Sequence, residues 1–335
     1  MKFYLIGGDF GIDRLVAGQG EIPRPGPGQV LVRMKAASLN YRDLLVIEGK
    51  YSRKLHLPLV PLSDGTGEVV ETGDGVSLWK QGDRVAGTFF QEWLSGEITP
   101  GASLSALGGA INGVLAEYVV FDQQGLVSIP GHLSFEEGAT LPCAALTAWH
   151  ALSVTGIRPG STVLTLGTGG VSIFSLQFAR LAGARVLSTT GSESKEGRLK
   201  ETGAAEVINY RKEPDWDRRA LELTDGRGVD LVVEVGGAGT LGKSLNAVRM
   251  SGHISLIGVL TGSTGEVNPL PAVMKSLSLH GIYVGSREMF AEMNRAIELH
   301  HMRPVIDSVF PFSEAKAALR HLQGGSHFGK VVISF

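Results

Sequence analysis

The chain has 335 residues, 43% hydrophobic and 19% charged, with a formal net charge of −2 and a mean hydropathy of +0.12. That length allows two domains with separate cores, and the composition excludes disorder; the dispersed basic residues exclude an electrostatic footprint for nucleic acid. The single cysteine, Cys143, excludes an internal disulfide framework, and no apolar run matches a secretory signal or the roughly 20 residues of a membrane span, so a cytoplasmic protein without a membrane partner is expected.

Residues 1 to about 125 predict a mostly β region. Pro23, Pro25, Gly26, Pro27 and Gly28 form a turn-rich entry to an alternating strand over 30–37. Residues 67–73 and 82–86 predict further short strands, together an irregular barrel-like domain. Between Phe89 and Gly113 the pattern fades into Gly, Ala, Ser and aromatics, which predicts a long binding loop. There Phe89, Phe90 and Trp93 read either as an aromatic wall for a flat ligand or as loop packing. Residues 115–120 restore a strand.

From about residue 126 the period changes. Ser134 and Glu137 have the spacing of a capping box, and helical residues follow over 139–152, broken in phase by Pro142. Strand 162–166 and helix 173–181 come next, then strand 184–189, a helix near 195–201 and strand 206–209. A helix over 215–224, strand 229–235, a helix over 240–248 and strand 252–257 complete the alternation. Such alternation predicts an α/β fold with a doubly wound parallel sheet. Late helices over 287–299 and 314–322 precede a closing strand, 331–335, whose lack of a βα partner returns it to the first domain.

The chemistry concentrates at Gly167-Thr168-Gly169-Gly170-Val171-Ser172, between an apolar strand and a helix start. Glycines let backbone approach a ligand, and the free N–H groups of a helix start favour a pyrophosphate. Ser172 stands where G-x-G-x-x-G has its third glycine. The second strand ends without the acid that binds a ribose 2′-hydroxyl, and continues through Gly191, Ser192 and Lys195, which suit a 2′-phosphate. Gly236 ends the fourth strand, and Ile257, Gly258 and Val259 end the fifth, where open α/β sheets bind ligands.

Asn40-Tyr41-Arg42-Asp43, residues 65–70, 82–85 and 137–149, the glycine turn, Val207-Ile208-Asn209-Tyr210 and Phe328-Gly329-Lys330-Val331-Val332 follow one another in an order that resembles the medium-chain dehydrogenase/reductase superfamily. The resemblance covers essentially the whole chain. It implies a GroES-like catalytic domain (1–125 and 286–335) around a central Rossmann domain (126–285), with a nicotinamide cofactor in the cleft between them. It also implies a homodimer paired through the last Rossmann strand, around 279–284, and a small-molecule substrate.

Zinc-dependent members hold their catalytic metal with Cys, His and Cys, often with a Glu nearby. Here Asn40, Ser63 and Asp64 stand at the first Cys, the His and the Glu, and only Cys143 matches. An amide and a hydroxyl replace a thiolate and an imidazole poorly, and residues 89–113 lack the cysteines of a structural zinc lobe, so no zinc is expected. The chain then resembles the zinc-independent quinone and enone reductases. By that resemblance Ser192, Lys195 and Tyr210 contact the 2′-phosphate of NADP(H), with NAD(H) left open. Thr147 lies beside the nicotinamide, and Tyr283 and Lys330 are further cofactor positions. Asn40 and Tyr51 are the expected catalytic pair, orienting a carbonyl while Tyr51 or water supplies a proton; Tyr51 reads equally as a surface loop residue. Asp43 is expected to pair with Arg42 or Arg84, and Cys143 to pack. A zinc-free NAD(P)-dependent alcohol dehydrogenase and a cofactor-binding protein with little catalysis are the alternatives.

Overall fold

In a computed structural model that describes residues 1–52 and 55–335, the chain forms two units, Met1–Leu146 with Gly285–Phe335, and Thr147–Val284. The spine of the first is the strand Gln29–Ser38, whose Val30, Val32, Met34 and Ala37 are all buried in one core. It pairs antiparallel with Asp64–Thr72 on one side and with Lys330–Ser334 and Tyr118–Asp122 on the other. Asp64–Thr72 pairs in turn with Arg84–Gly87, which pairs with Leu126–Ser128. The closing strand therefore does return to the first domain. An antiparallel hairpin, Lys2–Ile6 with Leu15–Gln19, adds to this unit and has no counterpart in the sequence expectations.

The boundary between units lies at Leu146, later than the expected 126, for two physical reasons. Leu126–Ser128 completes the first unit's sheet, and the helix Phe135–Ala139 is tied to it by a hydrogen bond from Thr66 Oγ1 to Phe135 O at 2.6 Å. The capping box does form, with Ser134 N to Glu137 Oε2 at 2.8 Å and Glu137 N to Ser134 Oγ at 3.2 Å. Pro142, which cannot donate to the helix ladder, sits in a π-helical turn, Leu141–Ala145, before the helix Leu146–Ser153 resumes. The 89–113 stretch contains a short helix, Pro100–Ser103, and buries Phe89, Phe90 and Trp93. With rings 4.8 Å apart, Phe89 and Phe90 pack the loop down and do not form an open wall.

The second unit is a six-stranded parallel sheet in the order Glu206–Asn209, Arg185–Thr190, Thr162–Thr165, Val229–Glu234, Val248–Leu256, Ser278–Gly281. In chain order this is 3-2-1-4-5-6, the Rossmann arrangement, whose strand order reverses beside Thr162–Thr165. The helices Gly170–Leu181, Glu196–Thr202, Trp216–Glu222 and Ala238–Ala247 connect these strands. Val163, Leu164, Leu187, Leu231 and Val232 are fully buried, which explains their near-continuous apolar runs. Among the described residues no helix is long and apolar enough to cross a membrane.

One carboxylate fixes the turn before the closing strand. Asp307 accepts from Phe328 N at 2.9 Å, from Ser308 Oγ at 2.6 Å, and lies 2.9 Å from His321 Nε2. Burial alone would raise its pKa, but those three donors outweigh it and bring the pKa to about 2. A depressed acid stabilises the fold above its unfolded pKa, about 3.9, and that contribution disappears as pH falls through the folded value. Asp307→Asn is expected to lower Tm at neutral pH by roughly 2–4 °C, as for a loss of about 1 kcal/mol. The gap to wild type should close between pH 4 and pH 2 in thermal melts.

Candidate active site

The glycine turn follows the buried strand Thr162–Thr165. Gly167 turns the chain with φ +77°, a left-handed conformation that costs glycine nothing, and Gly169 caps a helix that begins at Gly170, three residues earlier than expected. No atom lies within 4 Å of where a Cβ on Gly167 or Gly169 would sit, so the turn faces open space. The first N–H groups of this twelve-residue helix lack helical partners and sit beside Thr168 and Val171. Ser172 is buried and donates from Oγ to Leu166 O at 2.6 Å. A hydroxyl bond to the strand end thus replaces the close helix–strand approach that a third glycine would allow.

The second strand's end gathers next to it. Lys195 Nζ lies 3.3 Å from Thr168 Oγ1 of the glycine turn. A Cβ on Gly191 would sit 2.5 Å from the Tyr210 hydroxyl, so the phenol lies directly over that glycine. Ser192 Oγ is 2.9 Å from Ser194 Oγ. Lys195 N also donates to Ser192 O at 3.1 Å, so the three expected 2′-phosphate residues, Ser192, Lys195 and Tyr210, stand with Gly191 at this edge of the sheet. Glu193, the acid of this turn, pairs outward with Lys212 at 3.0 Å.

The other strand ends are laced by Glu234, which sequence reasoning missed. Its buried carboxylate accepts from Gly236 N at 2.7 Å, Gly237 N at 3.1 Å and Thr240 Oγ1 at 2.6 Å, and also from Ser244 Oγ. Its carbonyl accepts from Ile257 N at 2.9 Å and Gly258 N at 3.3 Å. Gly236, Ile257 and Gly258 are held together by this one side chain and its backbone, and Val259, next in the chain, is half-exposed. The available signal was an acid closing an otherwise apolar strand. Thr147 is buried, and Tyr283 is 44% exposed.

In the first unit a polar cluster forms where strand ends meet the helix Tyr41–Ile47. Asn40 precedes that helix, and its backbone N–H donates to Asp43 Oδ2 at 2.8 Å. Lys330, 3% exposed, donates from Nζ to Leu39 O and to Asn40 Oδ1, both at 2.6 Å. Lys330, expected as a cofactor position, has its ammonium bonded within the first unit to Leu39 and Asn40. Ser63 Oγ donates to Asp64 Oδ1 at 2.7 Å, and Cys143 N to Asp64 Oδ2 at 3.1 Å. Arg42 Nη1 donates to Leu107 O at 2.9 Å and pairs with Asp43 at 3.3 Å. Its guanidinium lies over the Tyr51 and Phe89 rings, 4.9 Å and 5.0 Å from their centroids. Tyr51 is thus packed against the core and is no bare surface tyrosine.

Electrostatics follow from burial. Desolvation pushes Asp43 up to about 6 against the pull of Arg42, and raises Asp64 against Lys330, Ser63, Asn40 and the Cys143 amide. Burial, reinforced by Asp64, drives the Cys143 thiol far up, so it stays protonated at neutral pH. Zinc does not suit this set. The Asn40 oxygen is taken up by the Lys330 ammonium and the Ser63 hydroxyl donates to Asp64, and neither an amide nor a hydroxyl replaces the imidazole or thiolate that zinc prefers. The Asn40 amide nitrogen is buried, and no group completes a hydrogen bond to it in good geometry.

A doubly wound sheet with an open glycine turn defines the class, a dinucleotide-binding protein. Residues 26–131 match the alcohol dehydrogenase GroES-like domain, and residues 170–299 match the zinc-binding dehydrogenase family. A zinc-type alcohol dehydrogenase-like protein of Schizosaccharomyces pombe is 44% identical over 332 residues, 96% of each chain. The quinone oxidoreductase of Lama guanicoe is 30% identical over 93% of this chain and 91% of its own. The solved structure of an NAD-dependent alcohol dehydrogenase superposes with TM-score 0.91 at 35% identity, covering all of both chains. The chain belongs to the medium-chain dehydrogenase/reductase superfamily, and it is an NAD(P)H-dependent oxidoreductase.

Gly191→Ala is expected to push the Tyr210 phenol aside and raise KM for NADPH several-fold, with KM for NADH changed less. Steady-state kinetics with the two cofactors check this.

Proposed function

We propose that the protein is a zinc-independent, NADPH-dependent reductase of quinones or activated alkenes, acting as a homodimer. The observation that carries the chemistry is the buried Asn40 amide nitrogen, a donor without a partner in good geometry, in a cluster whose donor set does not suit zinc. When bound, the reduced nicotinamide supplies a hydride to the β-carbon of an enone or to a quinone ring. Asn40 Nδ2 donates to the acceptor's carbonyl oxygen, where negative charge develops. Tyr51, held under the Arg42 guanidinium, supports that carbonyl, and Tyr51 or water returns the proton. The Phe89 ring also lies against that guanidinium, 5.0 Å from its centroid.

The NADP(H) preference is supported by Ser192, Lys195 and Tyr210, by the second strand ending without an acid, and by Glu193 turning to Lys212. The relative named as an NAD-dependent alcohol dehydrogenase keeps a second reading in view, a zinc-free alcohol dehydrogenase using NAD(H). The homodimer is supported by the strand Ser278–Gly281, which ends the sheet with Leu279 44% exposed.

Steady-state assays with a quinone, an enone and simple alcohols separate the readings; turnover of alcohols alone would overturn the reductase. Asn40→Ala should lower kcat with a quinone or enone by about 100-fold, the scale of one lost oxyanion donor. Tyr51→Phe should lower it by about tenfold or more. If both variants together leave turnover intact, the catalytic assignment is wrong. Lys195→Ala should raise KM for NADPH by about tenfold, the loss of one charge-assisted hydrogen bond, and leave NADH unchanged. Equal efficiency with both cofactors in wild type would overturn the preference.

A further inference from the structure

We infer that Lys330 is a positioning residue: its buried ammonium fixes the Asn40 amide so that the nitrogen, and not the oxygen, is presented to the acceptor. An asparagine amide turned over by 180° keeps nearly the same shape, so only its partners decide which end faces which way. An ammonium has three donors and no acceptor, and Lys330 Nζ lies 2.6 Å from Asn40 Oδ1. Turning the amide over would set NH₂ against NH₃⁺ in a buried site, where opposed donors are costly.

Each end of the arrangement is independently anchored. The ammonium is held by Leu39 O at 2.6 Å, and Lys330's own backbone N–H donates to Val305 O at 3.0 Å. On the other side Asp64 accepts from Ser63 Oγ at 2.7 Å and from Cys143 N at 3.1 Å, so its oxygens already have donors of their own. The lysine therefore selects the orientation, and the amide nitrogen keeps its two hydrogens for an acceptor's oxygen. Lys330 does this without touching the acceptor, and its positive charge adds to the field in which an oxyanion would form.

The inference rests on the proposed reductase activity, and its test separates the two. Wild type, Lys330→Met, Lys330→Gln, Asn40→Ala and the double variant Asn40→Ala with Lys330→Met are compared for kcat with a quinone or enone. NADPH Kd by fluorescence titration and Tm are measured alongside. Lys330→Met is expected to lower kcat about tenfold, the scale of one hydrogen bond, with NADPH Kd changed less than twofold. Lys330→Gln, which still has a donor for Asn40 Oδ1, should recover part of that loss. In the Asn40→Ala background Lys330→Met should cost nothing further, because the group it orients is gone. Should Lys330→Met fail to fold, Lys330→Gln with and without Asn40→Ala gives the same cycle. Additive losses in the cycle, or weakened NADPH binding at unchanged kcat, would overturn the inference while leaving the reductase standing. Wild type that oxidises NADPH with neither acceptor would sink both.

Discussion

A lysine ammonium shut away from water must find its hydrogen bonds inside the protein, and in this chain that requirement binds distant parts of the sequence together. Lys330 lies almost 300 positions from the residues it serves, Leu39 and Asn40. Around it stand Asp64, from the neighbouring strand, and Asp43, from the helix that Asn40 begins. Removing one member of such a buried set leaves the others uncompensated, at a cost of about 3–5 kcal/mol, so these charges stand or fall together. The sheet enforces the meeting: Ser38, one residue before Leu39, pairs with both Asp64 and Val332. The closing strand is thus part of the site's framework as well as of the first unit's sheet.

The two units solve the problem of polar groups differently. In the second, backbone does most of the work. Gly167, Gly169 and the first helical N–H groups offer donors to an anion, while Ser172 and Glu234 secure the surrounding turns. In the first, side chains bond to one another, and donors at Asn40 and Arg42 are left without a partner in good geometry. Backbone donors suit a ligand whose phosphates vary little between enzymes; side-chain donors suit an acceptor whose shape can differ.

Much of this was legible in the residues. The alternation of apolar strands and amphipathic helices from 162 to 257 fixed the parallel sheet, because period is a direct consequence of burial. The 206–209 strand and the 287–299 helix coincide with Glu206–Asn209 and Arg287–Leu299. What was not legible depended on contacts distant in sequence. The Ser134 capping box marked a helix correctly, yet nothing local told that Phe135–Ala139 would be tied to Thr66, so the domain boundary fell too early. The hairpin Lys2–Ile6 with Leu15–Gln19 is interrupted by Gly7, Gly8 and Gly11, which dilute its alternation. The bond from the Lys330 ammonium to Asn40 Oδ1 joins residues 290 positions apart, a pairing that spacing cannot reveal.

The turn at Gly191 carries a consequence for how such an enzyme can change. Gly191, Ser192, Lys195 and Tyr210 all belong to one unit, and Asn40, Tyr51, Asp64 and Lys330 all belong to the other. Electron source and electron sink are encoded in separate modules. A lineage could exchange one nicotinamide currency for the other through substitutions within some twenty residues of the second strand, and keep its acceptor chemistry throughout.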